Sequence, residues 1–317
     1  MTMSTLTATR PSDRWWRTLG LSFVEARPVV QVIFLLRFAA GAAAGALSGA
    51  DLDGALGRGA LAWLLLTWSV YLLNGVADVT EDRANGSRRP IARGRLDRGV
   101  ALRTAYGLAA AGLLVAATVG STLVLLGAGQ LALGWWYSMG RAPLKRRVAG
   151  TAGAVVIAGL LTYLAGADSA GARPVPHLWV FCVAMALWMA VGALAKDLSD
   201  VPGDRLAGRR TLPVTRGVTW ARRSVAAVAL TVALAFLLAA HDAWPAVRVA
   251  SWLTVAGALV LTGLTCGPVG DGTPARRRRP YRVFMATQYL AHLALLGPVA
   301  TCVGTQGHYV CGGQLGP

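Results

Sequence analysis

The chain has 317 residues, 55% of them hydrophobic and only 14% charged, with a formal net charge of +17. Soluble domains carry roughly 25% charged residues, so a water-soluble globular protein is excluded. The basic excess does not point to nucleic acid either, because no folded soluble segment is present to carry it.

In chain order, a polar stretch of residues 1–26 precedes a first apolar run at about 28–50. The small residues of "FAAGAAAGALSGA" could pass for a secretory cleavage region. Against that, a long polar segment precedes the run and Arg37 interrupts it, so it reads as a retained span. Further runs lie at about 57–77, 149–167, 178–195, 224–240, 247–266 and 283–303, and residues 104–140 hold a sweep free of charge. That sweep is long enough for two spans of about 20 residues each. The expected fold is therefore all-α, a multi-pass bundle of nine transmembrane helices, with residues 304–317 as a C-terminal tail.

Assigning the loops alternately to two sides gathers 27 of the 31 basic residues on one side. They are Arg10, Arg14, Arg17 and Arg27, the arginines of 83–103, Arg141 and Lys145 to Arg147, those of 196–223, and Arg276 to Arg279 with Arg282. By the positive-inside rule this side is cytoplasmic. Cys182, Cys266, Cys302 and Cys311 show no metal-ligand spacing. Cys302 and Cys311 could pair near the outer face, or all four could simply pack.

Six of the 14 acidic residues fall in two clusters on the cytoplasmic side. The second run ends in "NGVADVTEDRANGSRRPIARG", where Asn74, Asp78, Glu81 and Asp82 fall within about 100° of arc on a continued helix. The sixth ends in "KDLSDVPGDRLAGRRTLPV", where Asp197, Asp200 and Asp204 share about 60°, unless Pro202 and Gly203 break the helix. Crowded carboxylates at low dielectric repel one another, and the C-terminal dipole ends of two helices also favour cations. Oxygen-only ligands select Mg²⁺, which binds through one or two carboxylates plus substrate phosphates. The arginines that trail each cluster suit phosphate. A single cluster could be an ordinary helix end at the water interface; two clusters matched in side, direction and basic tail argue for a site.

These residues carry a family resemblance. "NGVADVTED" and "DLSDVPGD" resemble the two aspartate-rich motifs of the UbiA superfamily of intramembrane prenyltransferases. "GDRLAGRRTLPV", "RRPIARG", "YSMGRAPLKRR" and Arg27-Pro28 are similar to further family segments, and the resemblance spans residues 27–303. It implies a central apolar cavity opening near the cytoplasmic side, where Mg²⁺ holds an isoprenyl diphosphate. The expected metal ligands are Asn74, Asp78, Asp82, Asp197, Asp200 and Asp204, with Asp78, Asp82, Asp200 and Asp204 central to catalysis. Arg89, Lys145, Lys196 and Arg209 are expected on the diphosphate, with Asn74 beside them and Arg210 an almost equal choice to Arg209. One departure stands out: the family's first motif usually has an aspartate directly after the asparagine, and this chain has Gly75. On a continuous helix that position points away from the Asp78 direction, so loss of metal binding does not follow.

The cation formed by allylic C–O ionisation can be captured by an aromatic (phenolic) acceptor, giving C-prenylation, or by the chain's own double bond, giving a terpene cyclase. A cation transporter is a third class, disfavoured because repeated halves are not evident. Arg37 could bind an acceptor carboxylate or phenolate, or pair with a neighbouring helix. Gln288 and His292, at i and i+4, suit an inter-helix hydrogen bond or a proton-accepting role. The tryptophans, Trp63, Trp68, Trp135, Trp136, Trp179, Trp188 and Trp252 among them, suit interfacial anchors or cation-stabilising walls. Abundant Gly and Ala, with Arg over Lys, suggest a high-GC bacterium and its cell membrane, with the lipid bilayer as solvent.

Overall fold

The computed structural model describes residues 11–47, 54–171, 176–267 and 272–303. The described residues form helices α1 (Pro11–Glu25), α2 (Pro28–Leu47), α3 (Gly54–Ala77), α4 (Val79–Ala84), α5 (Arg98–Ala117), α6 (Ser121–Ser138) and α7 (Val148–Ser169). Then come α8 (Pro176–Asp197), α9 (Val201–Leu206), α10 (Leu212–Arg216), α11 (Val218–Ala239), α12 (Pro245–Cys266), α13 (Pro274–Arg277) and α14 (Arg279–Val303).

Each of the nine apolar runs becomes a helix of 18 residues or more. Among the described residues, six are long and apolar enough to cross a membrane: α3, α5, α7, α8, α11 and α12. The end of α1 and the start of α2, bent by 73° to each other, would together make a seventh. α6 and α14 are not among the six: α6 carries Gln130 and ends in Trp135-Trp136-Tyr137, and α14 carries Arg279, Arg282, Gln288 and His292. The charge-free sweep divides at 118–120, between α5 and α6.

The polar N-terminal stretch is not merely a tail. Pro11–Glu25 is an amphipathic helix that packs on α3 and α5 and leaves Trp15 and Trp16 exposed. Arg27 turns the corner into α2 with φ +61°, the left-handed region that L-residues enter at a cost of about 1–2 kcal/mol. Pro28 then starts α2 with its φ already helical. Residues 1–10 and the expected C-terminal tail 304–317, Cys311 included, lie outside the described residues, as does the side chain of Cys302.

The long helices pack side by side around a common interior. α3 lies on α5 and α6, α2 on α7, α7 on α8, α8 on α11 and α11 on α12, and α14 closes between α12, α8 and α2. Close approach of α2 and α7 depends on two reciprocal glycines. A Cβ on Gly41 would lie 2.0 Å from the Tyr163 carbonyl oxygen, and one on Gly166 would lie 1.9 Å from that of Phe38. Such small-residue contacts replace the hydrophobic drive that lipid does not provide between helices. The largest core cluster centres on α8, α11, α12 and α14, and two smaller ones surround α3. Trp63 and Trp188 are fully buried in these clusters, Trp63 donating to Thr162 Oγ1 at 3.1 Å. Trp135, Trp136 and Trp252 are exposed, as anchors at a membrane surface would be.

Candidate active site

Both acidic segments leave their helices earlier than continuous helical spacing predicts. α3 ends at Ala77, and Asp78 (φ −91°, ψ 9°) is the hinge into α4. α8 ends at Asp197, and Asp200 (φ −102°, ψ 10°) is the corresponding hinge into α9. The second break therefore falls at 198–200, ahead of Pro202. That proline sits in the first turn of α9, where its missing N–H leaves no helical bond unmade.

The short helices dock on each other. The Gly203 amide donates to Asn85 Oδ1 at 2.9 Å, and a Cβ at 203 would lie 2.4 Å from Asn85 Nδ2 and 2.7 Å from the Glu81 carbonyl oxygen. This contact brings two motifs more than a hundred residues apart to one end of the bundle.

Lys145, Arg209 and Lys196 are among the basic side chains that neutralise the acids. Lys145 Nζ, from the 3-10 turn Leu144–Arg146, donates to Asp78 Oδ1. Arg209 Nη2 donates to the same oxygen at 2.9 Å and to Glu81 Oε1 at 3.1 Å, while Nη1 lies 3.5 Å from Asp204 Oδ1. Lys196 pairs with Asp200 at 2.6 Å. Burial alone would raise the Asp200 carboxyl; the Lys196 ammonium and the Ser199 hydroxyl overcome it and hold the carboxyl at about 2. For Asp78, burial is likewise overcome by Lys145 and Arg209, and its pKa is lowered. Asp204, where burial prevails over Arg209, is raised. Arg210 is exposed, and its backbone amide binds the Arg146 carbonyl, so Arg209 alone of the two turns inward.

A cavity opens beneath these groups. Its polar end is lined by Arg27, Asn74, Asp78, Lys196, Asp197 and Arg209. Its apolar walls include Phe34, Tyr71, Tyr137, Met189, Tyr281 and Phe284, and Arg37, Gln130 and Gln288 lie deeper inside. No tryptophan lines it among the described residues. Thus Asn74, Asp78, Asp197, Lys196, Arg209 and Arg37 converge on the cavity. Asp82, Asp200, Asp204, Arg89 and Lys145 stand around it without lining it.

Arg89 is buried and held by Asp82 at 2.7 Å and Glu25 at 2.6 Å. His292 accepts or donates with the Tyr163 hydroxyl at 2.8 Å and contacts the Gln288 carbonyl through Nδ1, which makes it an inter-helix tie. Gln288 instead faces the cavity, and neither its Nε2 nor its Oε1 has a hydrogen-bond partner. Sequence reasoning did not assign a site role to Glu25, Arg27, Tyr71, Tyr137 or Tyr281. The Arg27-Pro28 dipeptide and the segment "YSMGRAPLKRR", which opens on Tyr137, were the local signals for any of them.

The donors suit a hard divalent cation. Asp197 faces the cavity with no ion-pair partner among the described residues, and Asp204 Oδ2 is buried without a hydrogen bond. Among the described residues no three carboxylate, imidazole or thiolate groups are gathered tightly enough to hold an ion by themselves. Mg²⁺ needs no such cage, because it keeps waters and takes substrate phosphate oxygens as ligands.

Comparison with known proteins matches this architecture. The sequence profile of the UbiA prenyltransferase family matches residues 34–300. The digeranylgeranylglyceryl phosphate synthase of Methanopyrus kandleri is 30% identical over 231 residues, 71% of this chain and 81% of that protein. The somaliensene A/B synthase of Streptomyces somaliensis is 31% identical over 172 residues, about half of each chain (51% and 53%). Among solved structures, a UbiA homologue from Archaeoglobus fulgidus bound to DMAPP and Mg²⁺ superposes with a TM-score of 0.63 at 20% identity, covering 86% of this chain and 98% of that one. The apo UbiA homologue from Aeropyrum pernix gives 0.65 at 20% identity, covering 85% and 98%. A chain whose described residues fold into helices, several of them long and apolar enough to cross a membrane, and which matches this profile across most of its length belongs to the UbiA prenyltransferase family.

Proposed function

We propose that the protein transfers an isoprenyl group from an isoprenyl diphosphate to an anionic aromatic acceptor inside the membrane, with C–C bond formation on the ring. The observation that carries the acceptor is Arg37. It is 2% exposed, sits over the Phe34 ring at 5.0 Å, and its Nε and Nη1 have no hydrogen-bond partner. The guanidinium interacts with the Tyr163 hydroxyl on α7 and shares the cavity with the unpartnered amide of Gln288, and its unpartnered Nε and Nη1 suit a carboxylate or phenolate. The relatives named digeranylgeranylglyceryl phosphate synthases bear a phosphate in the product's name, and Arg37 would serve that anion as well.

At the polar end, Arg27, Lys196 and Arg209 would bind the diphosphate oxygens. Mg²⁺, as in the bound Archaeoglobus structures, would be held by Asn74, Asp78 and Asp197, with Asp82, Asp200 and Asp204 around them, and would neutralise negative charge on the diphosphate. The allylic C–O bond breaks and its electron pair leaves with the diphosphate. A ring carbon of the acceptor then donates its π pair to the allylic carbon, and the ring proton passes to an oxygen of the departed diphosphate. Phe34, Tyr71, Tyr281 and Phe284 enclose the tail and exclude water that would quench the cation. The nine long helices are read as nine spans, with the acidic end cytoplasmic in a bacterial membrane, on the strength of the one-sided basic loops.

The second reading is a terpene cyclase, in which the prenyl chain's own double bond captures the cation. The paired aromatic walls favour it, Phe34 with Tyr71 and Tyr281 with Phe284, each pair at 5.7 Å. Arg37 counts against it, since a fixed positive charge raises the energy of a carbocation nearby. Membranes carrying the protein, given Mg²⁺ and prenyl diphosphates of several lengths with and without phenolic acids, separate the two. Product that forms only with the phenol is expected. Cyclic hydrocarbon without any acceptor would establish the cyclase instead.

A further inference from the structure

Arg89 does not face the cavity; it bridges two carboxylates beside it. Nη1 reaches Asp82 Oδ2 at 2.7 Å, and Nε reaches Glu25 Oε1 at 2.6 Å. Glu25 is the last residue of α1 and is fully buried. Its Oε2 accepts from the Ile91 amide at 2.8 Å, and its carbonyl accepts from Arg89 Nη2 at 3.0 Å. The left-handed turn at Arg27 separates this carboxylate from the guanidinium two residues later, sending Arg27 into the cavity.

Room for the Glu25–Arg89 pair exists because residue 75 has no side chain. A Cβ on Gly75 would lie 2.3 Å from Glu25 Oε1 and 2.5 Å from Arg89 Nη2. The pair therefore rests directly on the α3 backbone, one residue after Asn74. A fully buried carboxylate on a neighbouring helix stands where any side chain at 75 would begin.

We propose that Glu25 is a positioning residue for the metal–diphosphate site, its carboxylate standing in the space left open at Gly75. Sharing Arg89 between Glu25 and Asp82 leaves Asp82 with a partial counter-charge that it can exchange for a metal. Without Glu25 the guanidinium belongs wholly to Asp82, and metal must displace a complete buried ion pair. This inference rests on the reading that Asp82 belongs to the metal-binding set.

The test is equilibrium binding of Mn²⁺ to the purified full-length protein, read by electron paramagnetic resonance with an unreactive thio-analogue of geranylgeranyl diphosphate present. E25Q keeps the shape and removes the charge, and it is expected to weaken Mn²⁺ binding about 10- to 100-fold. G75D alone places two carboxylates in one space and is expected to bind poorly. The double variant E25A/G75D delivers the carboxylate from α3 and is expected to recover binding to within about tenfold of the unaltered protein. D82N is the control and should lose binding. If D82N binds Mn²⁺ unchanged, the ligand reading falls and the inference with it. If D82N loses binding but E25Q keeps it, with only a lowered melting temperature, Glu25 is a structural ion pair and the inference alone is overturned. A double variant no better than E25A overturns the role assigned to the Gly75 space.

Discussion

Arg209 Nη2 donates to Asp78 Oδ1 at 2.9 Å, joining side chains 131 positions apart in the chain. The same guanidinium reaches Glu81 and Asp204, so one residue from the tail of the second acidic segment ties both segments together. In the proposed reaction it would turn from these carboxylates to the diphosphate as Mg²⁺ takes over their charge. The site is then a clamp whose cations hold its acids until substrate arrives.

Removing that tie should destabilise the metal-free protein. R209M leaves Glu81 and Asp204 without their counter-charge and Asp78 with Lys145 alone, at a cost of about 3–5 kcal/mol. Thermal denaturation in detergent should show a lowered midpoint, and Mn²⁺ with a diphosphate analogue should recover more of it in R209M than in the unaltered protein.

The docking of α4 on α9 depends on the missing side chain at 203. G203A forces a Cβ to 2.4 Å from Asn85 Nδ2, an overpacking expected to cost about 1–3 kcal/mol. Turnover should fall with it, while N85A, which only removes the hydrogen bond to the Gly203 amide, should cost about 0.5–1.5 kcal/mol. Comparing the two by thermal shift and initial rate checks the claim.

Low pH should release the Asp200–Lys196 pair. The Asp200 carboxyl is lowered from its ordinary 3.8 to about 2, so its contribution to stability is complete above the ordinary value and is lost as pH falls through about 2. K196M removes the main attractive partner, and its stability should fall less steeply over that interval. A denaturation series between pH 5 and 2 on both proteins measures the difference.

The inner end of the cavity should govern the acceptor and leave the donor alone. R37M is expected to raise KM for a phenolic acid by about tenfold or more, the loss of a charge-assisted hydrogen bond. KM for the prenyl diphosphate should stay within about twofold, since that group binds at the opposite, acidic end. Steady-state kinetics varying each substrate in turn decide this.

Much of this site was legible because its chemistry is periodic. Asn74 and Asp78 are one turn apart at the end of an apolar run, and Asp197 and Asp200 repeat the arrangement, so carboxylates in a chain poor in them marked both ends. Arg37 announced itself as a charge inside a span. Gly75 stood out, but its partnership with Glu25 was opaque for the opposite reason: 50 positions separate them, and the packing of α1 on α3 brings one over the other. Tyr71, Tyr137 and Tyr281 were hidden because hydropathy gives the length of a span and not which face meets a neighbour. The hinge at Asp78 was missed because its amide still makes the helical bond to the Asn74 carbonyl, and the one at Asp200 because residue spacing does not show that its amide turns back to Asp197, only three positions earlier.

The central claim is that the two acidic segments form one metal–diphosphate clamp at the polar end of the cavity. The most direct test is a structure of the protein with Mn²⁺ and a non-ionisable prenyl thio-diphosphate, with the metal located by anomalous scattering. Metal is expected between the ends of α3 and α8, at about 2.2 Å from oxygens of Asp78 and Asp197, with Arg209 turned from Asp78 to the diphosphate. Metal located away from both residues, with the Arg209–Asp78 pair still intact, would contradict the claim.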